Sequence, residues 1–170
     1  MTAETTPGPM PQAGEEAPDF TLPDDTGQPR TLSEQRGHWV LLFFYPKDDT
    51  PGCTREACAL RDADPEIRAL GARTWGISIL GSGSKAAFKV KYGLPFTLLA
   101  DEEHRVAEAY GTWVQKTNHG KTYWGVQRAS FLVDPSGRLA RVWPKVDADA
   151  HAAEVLAALA QARDATRESA

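Results

Sequence analysis

The sequence predicts an α/β domain built on a mixed central sheet with helices on both faces. Three observations carry that expectation. The run Trp39-Val40-Leu41-Leu42-Phe43-Phe44-Tyr45 is continuously apolar, as a strand buried on both faces must be. Strand-like and helix-like segments then alternate through residues 50–110. Two later runs, residues 128–133 and 139–143, flank Asp134-Pro135-Ser136-Gly137, a type I turn composition that joins them as a hairpin.

A chain of 170 residues, 41% hydrophobic and 25% charged, is ordinary for one core. Residues 1–14, rich in Pro, Gly, Thr and Glu, read as a disordered tail, residues 15–162 as the domain and residues 163–170 as a frayed end. Phe20, Leu22 and Leu32, parted by Asp24-Asp25-Thr26-Gly27, suggest an opening hairpin. After the central strand, residues 50–70 show helical spacing of Ala57, Leu60, Ile67 and Leu70, with Pro65 expected to break or kink the helix. Residues 74–80 read as a strand, 85–92 as a helix, 97–100 as a strand and 103–110 as a helix. Residues 148–162 form an apolar-faced helix capped by Asp147 or Asp149. The aromatic residues Trp113, Tyr123 and Trp124 flank a loop and read as packing.

A net charge of -4 offers no broad basic surface, which argues against nucleic acid or an anionic membrane as partner. No run of eighteen apolar residues and no signal sequence is visible, so a cytoplasmic location is expected. The four histidines, His38, His104, His119 and His151, lack metal-ligand spacing and read as surface residues. Two cysteines, Cys53 and Cys58, are too few for a secreted disulfide scaffold. So close together in a reducing compartment, they suggest transient redox chemistry.

The chemistry concentrates in Pro46-Lys47-Asp48-Asp49-Thr50-Pro51-Gly52-Cys53-Thr54-Arg55-Glu56-Ala57-Cys58. Thr50 suits an N-cap and Pro51 the first helical position, which sets Cys53 in the first turn. There, unsatisfied backbone N–H groups and the positive end of the helix dipole favour the thiolate, the reactive form of the residue. Gly52 leaves no side chain beside the sulfur, so a small substrate can reach the backbone. Two thiols five residues apart on a helix are separated by about 7.5 Å of rise, beyond the ~4.4 to 6.8 Å a disulfide tolerates. A static disulfide is thereby disfavoured, while a nucleophile and a resolver that meet after oxidation remain compatible with the spacing.

The segment Pro46-x-x-x-Thr50-x-x-Cys53 resembles the active-site motif of the peroxiredoxins, and Thr50-Pro51-Gly52-Cys53-Thr54-x-Glu56-x-Cys58 resembles the bacterioferritin comigratory protein or peroxiredoxin Q subgroup. The resemblance extends over residues 14–160 and includes Arg128-Ala129-Ser130-Phe131-Leu132-Val133-Asp134. It implies a thioredoxin-like fold and a thioredoxin-dependent peroxidase that needs no metal, flavin or haem. Cys53 would be the peroxidatic nucleophile and Cys58 the resolving cysteine. Thr50 would supply a hydroxyl, Pro46 would shield the site, and Arg128 would be the fixed cation, with Glu56 orienting it or merely lying on a helix surface. The implied partners are a hydroperoxide and thioredoxin or a similar dithiol, and the implied assembly is a monomer.

The sequence departs from the family at Ser78-Ile79-Leu80-Gly81-Ser82-Gly83-Ser84, where Ser82 or Ser84 must cap the next helix, and at Asn118-His119, expected on the rim of the site. A redox sensor or chaperone-like binding protein using the same cysteine switch is the alternative function. Thr50 and Arg128 favour the peroxidase, because a sensor has no need of donors that stabilise a transition state.

Overall fold

The computed structural model describes residues 9–168. A five-stranded mixed sheet forms its centre. The central strand β3 (Trp39–Phe44) runs parallel to β4 (Ala72–Ser78), which runs parallel to β5 (Thr97–Ala100). On its other side β3 pairs antiparallel with β8 (Ala129–Val133), followed by β9 (Leu139–Trp143).

The uniform apolarity of β3 has the expected cause. Its alternate side chains enter different cores, each closed by helices. Leu41 and Phe43, with the following Tyr45, pack beneath α1 (Pro51–Ala69), α2 (Ser82–Tyr92) and α4 (His151–Glu168) through Leu60, Ile67, Phe88, Val155 and Leu159. Val40, Leu42 and Phe44 face the other way, towards Val106 and Ala107 of α3 (Arg105–Ala109) and Leu22 of the opening hairpin, β1 (Thr21–Pro23) with β2 (Pro29–Thr31). Among the described residues no helix is long and apolar enough to cross a membrane.

Several elements differ from the sequence reading. Helix α1 continues through Pro65. The proline is exposed, while Ala63, Asp64 and Ile67 on either side are buried and Arg68 pairs with Asp64 at 2.7 Å. That packing outweighs the hydrogen bond the proline removes, a loss of about 3 kcal/mol in an isolated helix. Helix α2 starts after Gly81 with no side-chain cap, so neither Ser82 nor Ser84 takes that role. The loop that Trp113, Tyr123 and Trp124 were expected to flank is mostly strand: β6 (Trp113–Asn118) and β7 (Lys121–Val126) form an antiparallel hairpin, with exposed Asn118 and His119 at its tip.

Of the expected N-terminal tail, residues 1–8 lie outside the described residues. Met10 packs on the second core, and the Gly14 N–H donates to the Leu139 carbonyl at 2.8 Å. Helix α4 runs on to Glu168, and residues 169–170 of the expected frayed end lie outside the described residues.

His151 is buried, contrary to the surface position expected of it. The start of α4 folds over the sheet, so its ring meets Trp143 edge-on at 5.1 Å and its Nε2 lies 2.8 Å from Ser130 Oγ. Burial lowers its pKa from 6.5 to about 4. Below the unfolded value the unfolded chain takes up a proton that the folded chain refuses, so the contribution of His151 is complete above about pH 6.5 and is lost towards pH 4. We expect stability to fall by up to about 3 kcal/mol across that window, and His151→Gln to remove this part of the slope. Urea unfolding of both proteins at pH 7 and pH 4.5 measures it, and equal slopes would show that the buried ring does not resist protonation.

Candidate active site

The carboxyl end of β3 delivers the chain into the loop that begins α1. Thr50 has the extended backbone of an N-cap, φ -96° and ψ 155°, and Pro51 opens the helix. The first helical hydrogen bond runs from the Thr54 N–H to the Thr50 carbonyl at 2.8 Å. The Gly52 and Cys53 amides therefore precede the i→i-4 ladder and have no partner within the helix. The Thr50 hydroxyl does not cap. It donates back to the Lys47 carbonyl at 3.0 Å, which draws the loop into a tight turn. Pro46, half-buried, begins that loop.

Cys53 is buried at 1% exposure, and the guanidinium of Arg128 reaches it. Nη2 donates to Cys53 Sγ at 3.3 Å while Nη1 donates to Glu56 Oε1 at 2.7 Å. The sheet brings this about: Ala129 pairs with Phe44, so Arg128, one residue earlier on the antiparallel strand, arrives where β3 gives way to the loop. Gly52 makes the approach possible, because a Cβ there would lie 3.0 Å from Arg128 Nη2.

Glu56 is fully buried, and its second oxygen, Oε2, has no hydrogen-bond partner. Burial raises its pKa to about 7 against the opposing pull of Arg128. Arg128 is itself pulled down by burial, but the charges of Glu56 and Cys53 outweigh that and hold its pKa above the ordinary value. Glu56 is thus no helix-surface residue; it is the buried counter-ion of the guanidinium.

Lys116 of β6, which sequence reasoning missed, is half-buried near the same charges. Its pKa is lowered by burial and then by Arg128, with Cys53 acting in the opposite direction. The signal was available in the turn-forming Asn118-His119-Gly120 between two β-rich runs, which would have placed Lys116 on a hairpin.

Cys58 stands apart from this group. Both thiols are free, Cys58 is partly exposed, and the helix is unbroken between them. Five residues turn a helix through about 500°, so the two side chains leave it about 140° apart as well as about 7.5 Å apart in height. The room beside Gly52, expected to admit substrate, is taken by the Arg128 guanidinium. A sulfur with a cationic donor, beside amides with no partner in the helix, can act as a thiolate nucleophile towards a small polar substrate.

Comparison with known proteins decides the family. The AhpC/TSA family model matches residues 13–142. The chain belongs to the peroxiredoxins. It is 47% identical to a putative peroxiredoxin Bcp of Coxiella burnetii, over 87% of this chain and 98% of that protein. It is 45% identical to peroxiredoxin Bcp of Bacillus subtilis, over 87% of this chain and 94% of the relative. Among solved structures, Xanthomonas campestris peroxiredoxin Q superposes with a TM-score of 0.83 at 35% identity, covering 89% of this chain and 98% of the other. This peroxiredoxin is therefore a thiol-dependent peroxidase with a thioredoxin-like fold, as the motif around Cys53 led us to expect.

The buried carboxyl of this peroxiredoxin gives the site a titration near neutrality. Because the folded pKa of Glu56 lies above the unfolded value of 4.5, its contribution to stability is complete below that value and is lost as pH rises to about 7. Glu56→Gln does not titrate, so its stability relative to wild type should rise by up to about 3 kcal/mol between pH 4.5 and pH 8. Chemical denaturation of the pair at both pH values checks this, and a constant difference would show that Arg128 keeps Glu56 ionised throughout.

Proposed function

We propose that Cys53 is the peroxidatic nucleophile, that Cys58 resolves it, and that Thr50, Arg128, Pro46 and Glu56 form the surrounding site. The observation that carries this reading is the bond from Arg128 Nη2 to Cys53 Sγ at a helix start. The sulfur of Cys53 attacks the terminal oxygen of the hydroperoxide and the O–O bond breaks. Its electron pair leaves with the distal fragment, which takes a proton and departs as water or an alcohol, while Cys53 becomes a sulfenic acid. Charge develops on both oxygens as the bond stretches. The Arg128 guanidinium, the Cys53 amide and the Thr50 hydroxyl, once turned from Lys47, are the donors that meet it. Pro46 limits access of water, and Glu56 holds the guanidinium in plane.

Cys58 then attacks the oxidised sulfur, an S–S bond forms, and the hydroxyl leaves as water. The geometry of α1 requires the helix to unwind locally for that step. An external dithiol reduces the disulfide by exchange, and thioredoxin is the reductant we assign. Hydrogen peroxide and organic hydroperoxides are the substrates we assign. In support, a Xanthomonas campestris bacterioferritin comigratory protein described for its alkyl peroxide reduction activity is 36% identical and superposes with a TM-score of 0.82. The pair of free thiols fits a reducing cytoplasm, where the enzyme would act as a monomer.

Cys53→Ser should abolish peroxide consumption, since serine offers no accessible anion at neutral pH. Arg128→Ala should slow the second-order reaction with hydrogen peroxide by roughly 10²-fold, the scale of losing one charge-stabilising donor. A stopped-flow rate unchanged in the arginine variant would reduce Arg128 to a structural part.

Cys58→Ser should react once and then stall as a sulfenic acid trappable by dimedone. Wild-type protein treated with one equivalent of peroxide should instead carry an intramolecular disulfide and exchange amides of residues 50–61 faster than when reduced. Recycling of Cys58→Ser by thioredoxin at the wild-type rate would make Cys58 a bystander.

A further inference from the structure

Close to the site this peroxiredoxin buries a second charge pair that the peroxide chemistry does not use. Lys85 in α2 has 0% exposure, a condition lysine meets only when paired. Its ammonium lies 3.3 Å from Oδ2 and 3.4 Å from Oδ1 of Asp48 and donates to Ser78 Oγ at 2.5 Å. Tyr45, also fully buried, donates its phenolic proton to Asp48 Oδ1 at 2.5 Å. Lys85 thus bridges Ser78 and Asp48, and Asp48 gathers Lys85, Tyr45 and Ser84, the last at 2.8 Å from Oδ2, into one polar cluster. The Lys85 ammonium also stands 5.3 Å from the centroid of the Tyr45 ring.

The cluster joins three elements that meet at the carboxyl edge of the sheet. Ser78 ends β4, Ser84 and Lys85 belong to α2, and Tyr45 and Asp48 lie on the stretch leading from β3 to Cys53. Tyr45 shares a core with Cys53 and lies near enough for the charge of that sulfur to act on its phenol. The next residue, Asp49, has a left-handed φ of 58° and turns outward to Lys91 at 2.7 Å and the Tyr92 hydroxyl at 2.6 Å, at the far end of the same helix. Two consecutive aspartates therefore tie one short loop to both ends of α2.

Stability alone does not call for such a device. Desolvating two charges offsets most of their attraction, and an apolar filling of the same volume is commonly as stable. What a buried hydrogen-bonded cluster supplies, and an apolar filling cannot, is direction: each bond fixes a distance and an angle.

We infer that Asp48 and Lys85 are positioning residues for the peroxidatic thiol, holding the loop of residues 46–50 on α2 so that the start of α1 presents Cys53 Sγ to Arg128. The inference rests on Cys53 being the nucleophile. It extends the working site to a helix that contributes no group to the reacting atoms.

The test is the second-order rate of Cys53 oxidation by hydrogen peroxide at 25 °C, measured on folded protein. Lys85→Met preserves the bulk of the side chain and leaves Asp48 buried without its cation. The rate should fall about tenfold or more, within the ~10²-fold that a displacement of about 1 Å at a reacting centre can cost. Combining it with Asp48→Asn, whose amide oxygen still accepts from Tyr45 and whose amide N–H can donate to Ser84 Oγ, should restore most of the wild-type rate. A purely structural pair would lower the melting temperature and leave the rate of the folded variant unchanged.

Ser84→Ala removes one bond to Asp48 without stranding a charge and should slow the reaction about threefold; it decides the matter if Lys85→Met does not fold. A folded Lys85→Met within twofold of wild type overturns the inference, as does a double variant no faster than the single one. Should Lys85→Met fail to fold, a Ser84→Ala rate equal to wild type overturns it. Wild-type protein inert towards peroxide would instead overturn the nucleophile assignment beneath it.

Discussion

A guanidinium withdrawn from water must be answered on every side that it still exposes charge. In this peroxiredoxin Arg128 finds Glu56 on one side and the Cys53 sulfur on the other, and much of the fold serves that meeting. The antiparallel register of β8 on β3 sets the height of the arginine. The helix start sets the height of the sulfur, and Glu56, one turn further along α1, faces the same way as Cys53. Gly52 gives the two groups room to approach. Replacing Arg128 leaves the buried Glu56 carboxyl without its cation.

The proposed cycle asks the same helix both to hold and to open. Cys53, Ala57, Leu60 and Ile67 anchor α1 in the core, which keeps the Cys53 sulfur beside Arg128. Cys58 leaves the helix on another side, so forming a bond between the thiols requires part of that packing to be given up. The partial exposure of Cys58 and of Thr54 lowers the cost of opening this stretch. The loop before Cys53 is held to α2 through Asp48 and Asp49, whereas among the described residues the turn after Cys53 has no comparable polar tie apart from Glu56 to Arg128 and an exposed pair of Arg55 with Asp149 at 3.1 Å.

Much of this protein could be read from residue order alone, because the signals are local. A strand buried on both faces has no polar residues to alternate with, and β3 shows none. A threonine, a proline and a glycine before a cysteine define a helix start from backbone preference, and α1 begins where they place it. The spacing of the two cysteines depends only on helical rise, so their separation in the folded chain was fixed as soon as α1 was recognised. Where local preference competes with packing, the sequence misled. Pro65 did not end its helix, the serines around Gly83 capped nothing, and the hairpin of β6 and β7 hid behind a polar turn.

What only the tertiary structure decided is which charges are buried and against what. Nothing in the order of residues brings Arg128 to Cys53 across 75 positions; the β3 and β8 register does. Lys85 and His151 are polar side chains on amphipathic helices and, by residue type alone, could equally have faced water. Their burial follows from the way α2 and α4 settle on the sheet, which no local preference encodes. Propensity and spacing act over a few residues and survive in any context, so sequence alone determined the strand, the helix start and the thiol pair. Desolvation depends on every element that closes over a side chain, so the ionic partners of Cys53, Asp48 and Glu56 existed only once the whole chain had folded.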